Sequence, residues 1–351
     1  MEFAFTDEQR MIGETVRGFF AENATSERTR KAMAGDGLDR ALWNAFAGDL
    51  GLAGVALPED HGGAGLGMIE LALVAESAGA QVAALPLLGH VMVGQAIAKG
   101  GSEEQKAEWL PRLAAGEVIS TTTWAAHASM ADGRLSGTFS FLPHGAVADL
   151  LLVYGGDDAW IVDLKGEGVT ITPHVTLDQT RPLATVVLTD APAEALEDGD
   201  AAIPAALAAG WICLAAEALG GAQAALDRTV AYSRERVQFG RPIGSFQAYK
   251  HRLADMMIEI EQARSAVYWA ACAVDENSDE TAIALHAAKS FAADTYFMCA
   301  GNMIQLHGGI GFTWEHDAHL FFKRARSIQT LLGNGTYHRE AVATMILGGA
   351  A

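Results

Sequence analysis

Apolar residues recur at helical spacing through the first third of the chain. They give way to short β-branched runs in the middle and return at helical spacing beyond residue 204. Thr6 and Gln9 stand at capping-box spacing, and Met11, Ile12, Val16, Phe19 and Phe20 follow three or four apart, which predicts an opening helix. Further amphipathic helices are predicted over 41–52 and 68–80, separated by a Pro- and Gly-rich loop over 50–67. Runs at 150–154, 160–164, 169–172 and 184–188 read as strands, with Gly-rich turns at 155–158 and 166–168. An acidic, Ala-rich linker is expected over 194–201, and Pro204 is placed in the first turn of a long helix. Leu207, Leu214, Ala218, Ala222, Leu226 and Val230 carry that helix onward, and others are predicted over 251–275, 279–306 and 337–347. The expected fold class is α+β. An N-terminal helical domain (1–116) precedes a small antiparallel β domain (117–201) and a C-terminal bundle of long helices (202–351). Strand and helix do not alternate, which argues against a Rossmann domain.

Half of the 351 residues are hydrophobic, enough for one large core or two to three smaller ones. A net charge of −19 argues against nucleic acid as a partner, and any anionic ligand must be met by a local basic cluster. Arg234, Arg236, Arg241, Lys250, His251 and Arg252 supply one. The turn among them can present Arg236, the Gln238 amide and backbone N–H groups to a phosphate-bearing ligand; a solvated helix connector is the plainer alternative. Cys213, Cys272 and Cys299 stand in apolar helical contexts and read as reduced thiols of a cytoplasmic protein. No apolar run approaches the roughly 18 to 20 residues of a membrane span, and the N-terminus lacks a secretory pattern, so neither membrane insertion nor secretion is expected. His307, His316 and His319 invite a metal reading, but no further ligand is suitably placed, and no metal is expected.

Several stretches together resemble the acyl-CoA dehydrogenases. FTDEQRMIGETVRGFF is similar to that family's opening helix, LGLAGVALPEDHGGAGLG to its first loop, and GRLSGTFSFLPHGAVADLLLVYG to its β-domain entry. RERVQFGRPIGSFQAYKHRLADM and QLHGGIGFTWEHDAHLFFKRAR are the strongest matches, and the resemblance covers nearly the whole chain. It implies the three-part fold, FAD as cofactor, an acyl-CoA substrate, electron-transfer flavoprotein as acceptor and a tetramer, homomeric or heteromeric. It also implies that Arg236, Gln238 and Phe239 reach the FAD of a neighbouring subunit. Gln305, Gly308 and Gly309 would line FAD from a second chain, although a helix C-cap explains the two glycines locally.

The chain departs from the family pattern where proton abstraction is expected. The family's usual Glu is replaced by Asn334 in LLGNGTYHRE, and an amide cannot accept that proton. The alternative seat on the long helix before the Arg motif falls on Gly210, followed by Trp211. Glu217, seven residues on, is the nearest carboxylate; it is either a buried base or a structural residue that pairs with an arginine or caps a helix contact. In the β domain, TTTWAAHAS at 121–129 and Phe141 and Pro143 replace the residues that usually touch the flavin ring. The losses spare the residues that act across an interface. The resemblance thus points to the short, non-catalytic-type subunits of bacterial heteromeric acyl-CoA dehydrogenases. A self-sufficient homotetramer using Glu217 and a flavin-free pseudoenzyme are the alternatives.

Overall fold

A computed structural model describes residues 4–124 and 128–348. Eleven α-helices and ten strands are found among the described residues. They are α1 (Asp7–Asn23), α2 (Ser26–Met33), α3 (Arg40–Asn44), α4 (Met68–Ala80), α5 (Leu87–Gly100), α6 (Glu103–Ala114), β1 (Ser120–Thr122), β2 (Ser129–Ala131), β3 (Arg134–Pro143), β4 (Leu150–Gly155), β5 (Asp158–Asp163), β6 (Val169–Pro173), β7 (Leu183–Pro192), β8 (Glu194–Ala195), α7 (Gly199–Glu235), β9 (Val237–Gln238), β10 (Arg241–Pro242), α8 (Gln247–Asp275), α9 (Thr281–His307), α10 (Ala318–Thr330) and α11 (Gly335–Leu347). The chain divides into two compact units that interleave in sequence, where sequence order alone suggested three consecutive domains. One unit is 1–26, 72–83 and 214–351, and the other is 27–71 and 84–213. The interleaving arises because α4 and α7 each run out of one unit and into the other.

Within the second unit, two four-stranded sheets are formed, in the orders β1-β4-β5-β8 and β2-β3-β7-β6. All pairings are antiparallel except β1 with β4, which is parallel. Leu135 and Phe139 of one sheet and Leu151, Val153 and Trp160 of the other share a single apolar cluster. β4 is buried at five of its six residues, with Leu151 and Val153 in that cluster, and α5 packs against β1 beside it. A Cβ on Gly89 of α5 would lie 2.3 Å from the Ser120 carbonyl oxygen.

Within the first unit, α9 is the central helix, packed by α8, α10 and α11. Ala and Gly let helix backbones touch there. A Cβ on Gly220 of α7 would stand 1.8 Å from the Glu76 carbonyl oxygen, and one on Gly79 of α4 2.1 Å from that of Glu217. No rotamer relieves a clash with backbone. Gly220→Ala is therefore expected to destabilise by about 3 kcal/mol, read as a fall in the urea midpoint without change in slope.

The capping box at Thr6 forms as predicted, with both reciprocal hydrogen bonds. Three sequence readings are corrected. The 41–52 segment keeps only a short α-helix before a π-helical turn over Ala45–Asp49. The expected linker is consumed by β8 and by the start of α7 at Gly199, where the Asp198 side chain accepts from the Ala201 N–H at 3.0 Å. Pro204 thus lies inside the helix, one turn past its start. Finally, α7 does contain an 18-residue window of mean hydropathy 1.7, although 78% of that window is buried inside the fold, as in a core helix.

Candidate functional site

The Arg-rich turn is a two-residue β-hairpin. Gln238 pairs with Arg241 and Val237 with Pro242, leaving Phe239 and Gly240 at the tip with φ of 54° and 76°. Positive φ at both central residues is type I′ geometry, which Gly240 accepts freely and Phe239 does not. The ring of Phe239 is 91% exposed. A large aromatic held in the left-handed region and exposed to solvent is available for contact from outside this chain. Arg236 is exposed and has no carboxylate partner among the described residues, whereas Arg241 lies over the Phe246 ring at 4.0 Å. The Gln238 amide nitrogen donates to the Val237 carbonyl at 2.9 Å.

Gln305, Gly308 and Gly309 lie at the exposed C-terminus of α9. The Gly308 N–H donates to the Gln305 carbonyl, and Gly308 sits at φ 63°, ψ −141°, a region open essentially to glycine. A Cβ on either glycine would meet nothing within 4 Å, so the backbone is open to close approach by a ligand. An unpaired guanidinium, an outward aromatic and two bare glycines suit a dinucleotide's pyrophosphate and adenosine.

The hairpin and the glycine turn are brought together in the same unit. Tyr232, one turn before Arg236, stacks on His307 at 4.5 Å and 19°. The Tyr249 hydroxyl donates to the Leu306 carbonyl at 3.1 Å. His316 and His319, read from sequence as possible ligands, engage their own turn: His316 Nδ1 accepts from the Ala318 N–H at 3.1 Å, and the His319 ring stands 4.6 Å from Trp314.

Asn334 is the N-cap of α11, and its side-chain oxygen accepts from the Tyr337 N–H at 2.9 Å. The turn before it is fixed from beneath. Buried Lys289 donates to the carbonyls of Ile328 (2.9 Å) and Gly333 (3.3 Å). His338 Nε2 bonds the Leu332 carbonyl at 3.1 Å, which makes it the protonated nitrogen, so His338 Nδ1 accepts from His286 at 2.7 Å. Sequence reasoning missed this Lys–His–His floor, because Lys289, His286 and His338 converge only through helix packing.

Glu217 is buried and forms an ion pair with Arg324, which also donates to the Ala83 carbonyl. Of the two readings the sequence left open, the geometry supports pairing. A carboxylate bound to a buried guanidinium is already committed to the fold.

In the second unit, the hydroxyls of 121–123 are likewise engaged. Thr121 donates to the Pro143 carbonyl (2.7 Å), Thr122 to that of Thr123 (3.1 Å), and Thr123 Oγ1 accepts from the Tyr154 N–H (3.2 Å). Residues 125–127 of the TTTWAAHAS segment lie outside the described residues. Phe141 stands at a β-bulge with φ 63° and is 62% exposed, and Trp211, next to Gly210, meets Trp124 edge-on at 6.3 Å.

Residues 6–117 match the acyl-CoA dehydrogenase N-terminal domain and residues 197–347 the C-terminal domain. Acyl-CoA dehydrogenase IpdE2 of Mycolicibacterium smegmatis is 34% identical over 329 residues, covering 93% of this chain and 95% of the relative. A solved variant of the Tcur3481-Tcur3483 steroid ACAD superposes with a TM-score of 0.91 at 34% identity, over 98% of this chain and 99% of that one. The ChsE4-ChsE5 complex from Mycobacterium tuberculosis gives a TM-score of 0.92 at 29% identity over the full length of both chains.

Proposed function

The chain belongs to the acyl-CoA dehydrogenase family of FAD-binding oxidoreductases, and we propose that it is the partner subunit of a heteromeric dehydrogenase acting on an acyl-CoA thioester. In this reading Arg236, Gln238 and Phe239, with Gln305, Gly308 and Gly309, hold the tail of an FAD whose reacting end sits against a second, catalytic chain. FAD, when bound, supplies the hydride acceptor for α,β-desaturation. This chain's part is to bind and orient; the α-proton must go to a carboxylate of the second chain. The observation that carries the reading is Asn334, an amide at the base position whose oxygen is engaged in capping α11. The commitment of Glu217 to Arg324 supports it.

The similarity to a steroid ACAD favours a sterol-derived acyl group over a simple fatty acyl chain, and that to the ChsE4-ChsE5 complex favours an assembly of two chain types, which we take to be a tetramer. The division of roles then follows the order 1–116, 117–201 and 202–351, with the last region carrying the cofactor and subunit contacts. Electron-transfer flavoprotein is the proposed acceptor and the cytoplasm the proposed location.

The test is to purify the chain alone and together with a candidate catalytic acyl-CoA dehydrogenase chain that carries the family's Glu, then assay flavin content, mass and acyl-CoA oxidation. A colourless chain that becomes a yellow, active heterotetramer supports the reading. A yellow homotetramer with robust turnover on its own sinks it. In the complex, Arg236→Ala is expected to weaken FAD retention at least tenfold, since hydrogen bonds to charged groups contribute about 1.5–3 kcal/mol. Unchanged retention would remove Arg236 from the site.

A further inference from the structure

The hairpin and the glycine turn are weak structures by themselves. Two-residue strands do not hold a hairpin, and the C-terminus of a helix leaves carbonyls unpaired. Yet a cofactor tail gripped by both needs them at a fixed separation, since misplacement by an ångström weakens every contact. What joins them lies one residue or one turn away from each.

His307, immediately before Gly308, is 4% exposed. Its Nδ1–H donates to the Met303 carbonyl at 2.7 Å, which orients the ring and leaves Nε2 as the unprotonated nitrogen. One face stacks on Tyr232 of α7 at 4.5 Å, and His316 packs against the same imidazole at 4.5 Å and 48°. Tyr232 is bonded to the hairpin, its carbonyl accepting the Arg236 N–H at 2.9 Å; the Arg236 carbonyl in turn accepts the Ile243 N–H at 2.8 Å. Gly311 closes the turn against this ring, because a Cβ there would lie 2.9 Å from the Cβ of His307. Burial pushes the His307 pKa down, so the imidazole is neutral at pH 7 and stacks without a desolvated charge.

We infer that Tyr232, His307 and His316 form an aromatic clasp that fixes the arginine hairpin to the glycine turn, making His307 and Tyr232 positioning residues for the dinucleotide tail. The inference rests on the proposed cofactor site but concerns how that site is held. His307 touches no reacting atom; it acts through the backbone of Arg236 and Gly308.

Hydrogen exchange in the full-length chain without flavin reads the clasp directly. In His307→Ala the Arg236 and Ile243 amides, on the far side of the stack, are expected to exchange at least tenfold faster, with α10 unchanged. His307→Phe, which keeps a ring, should restore most of that protection. Tyr232→Ala approaches the clasp from α7 and should loosen 305–311, and it serves if His307→Ala fails to fold. Faster exchange confined to 305–311 in His307→Ala, or equal changes with Phe and Ala, would overturn the clasp.

FAD retention in the complex separates this from the cofactor reading. His307→Ala should weaken retention about tenfold in the native background and much less in Arg236→Ala, the non-additivity of residues acting through one another. Additive losses overturn the clasp and leave the cofactor site standing. No loss in Arg236→Ala, with coupled exchange intact, removes the cofactor reading and leaves the clasp.

Discussion

Replacing Glu217 with Gln is expected to lower the stability of the unit that contains it by about 3–5 kcal/mol, the cost of leaving a buried charge without its counter-ion. The side chains of Glu217 and Arg324 are 6% and 2% exposed, and Arg324 is among the largest fully buried side chains. Water cannot take over for the missing carboxylate, and the Ala83 carbonyl that Arg324 also bonds carries no net charge. Glu217 stands where α4 and α7 touch backbone to backbone at Gly79, so the site cannot open to admit solvent without separating those helices. The loss should appear as a fall in melting temperature on the order of 10 °C. Pairing Glu217→Leu with Arg324→Met should recover most of it, since an apolar pair of similar volume replaces both desolvated charges. The contrary outcome is a Glu217→Gln protein that melts normally but has lost turnover more than a hundredfold. That would return Glu217 to the role of base and the chain to a self-sufficient enzyme.

The same residue marks how far the sequence can be read. Its burial was legible from flanking alanines and leucines, and an arginine partner was one of two readings, but Arg324 lies 107 positions away and only helix packing selects it. The helical ends of the chain were legible because period and caps are local: the Thr6 box forms, and α8, α9 and α11 begin and end within a few residues of their predicted limits. The middle was less so. The runs read at 150–154, 160–164, 169–172 and 184–188 fall in β4 to β7, but β1, β2 and β8 have only two or three residues each, too few to show the alternation on which strand reading depends. The start of α7 had a signal, Asp198 three residues before Ala201, hidden in what read as an acidic linker. At the candidate site, motif residues were found by resemblance, whereas the type I′ geometry at Phe239 was not. A Phe-Gly tip violates the sequence preference of that turn, and such violations are expected where function overrides local stability.

Stability is expected to fall steeply between pH 6.5 and 4, before most carboxylates titrate. His90 is buried in the second unit, its Nε2–H bonded to the Ala53 carbonyl, and burial pushes its pKa down to about 4. His338 is buried in the first, and burial, reinforced by the charges of Lys289 and His286, pushes it down to about 3. Burial also lowers His286 and His307. In each case the folded pKa lies below the unfolded value near 6.5, so below that pH the unfolded chain binds protons that the folded chain refuses. The stability in question is complete above pH 6.5 and is lost as pH falls toward the folded values. Each such histidine contributes a slope approaching 1.4 kcal/mol per pH unit, and the two strongly shifted ones give on the order of 2–3 kcal/mol per unit. Against the roughly 5–15 kcal/mol of a typical fold, the loss reaches about 5 kcal/mol near pH 4.5, the low end of that range. Urea titrations at pH 7, 6, 5 and 4 measure the slope directly. His338→Gln keeps a donor for the Leu332 carbonyl while removing the titrating group, and it should flatten the slope by about one proton. His90→Gln, with the same logic at Ala53, should do likewise, and the two effects should add because the sites lie in different units and share no partner. A stability that stays level from pH 7 to 5 would mean that these imidazoles are protonated in the fold. Neutral rings could then no longer account for the hydrogen bond between His286 and His338.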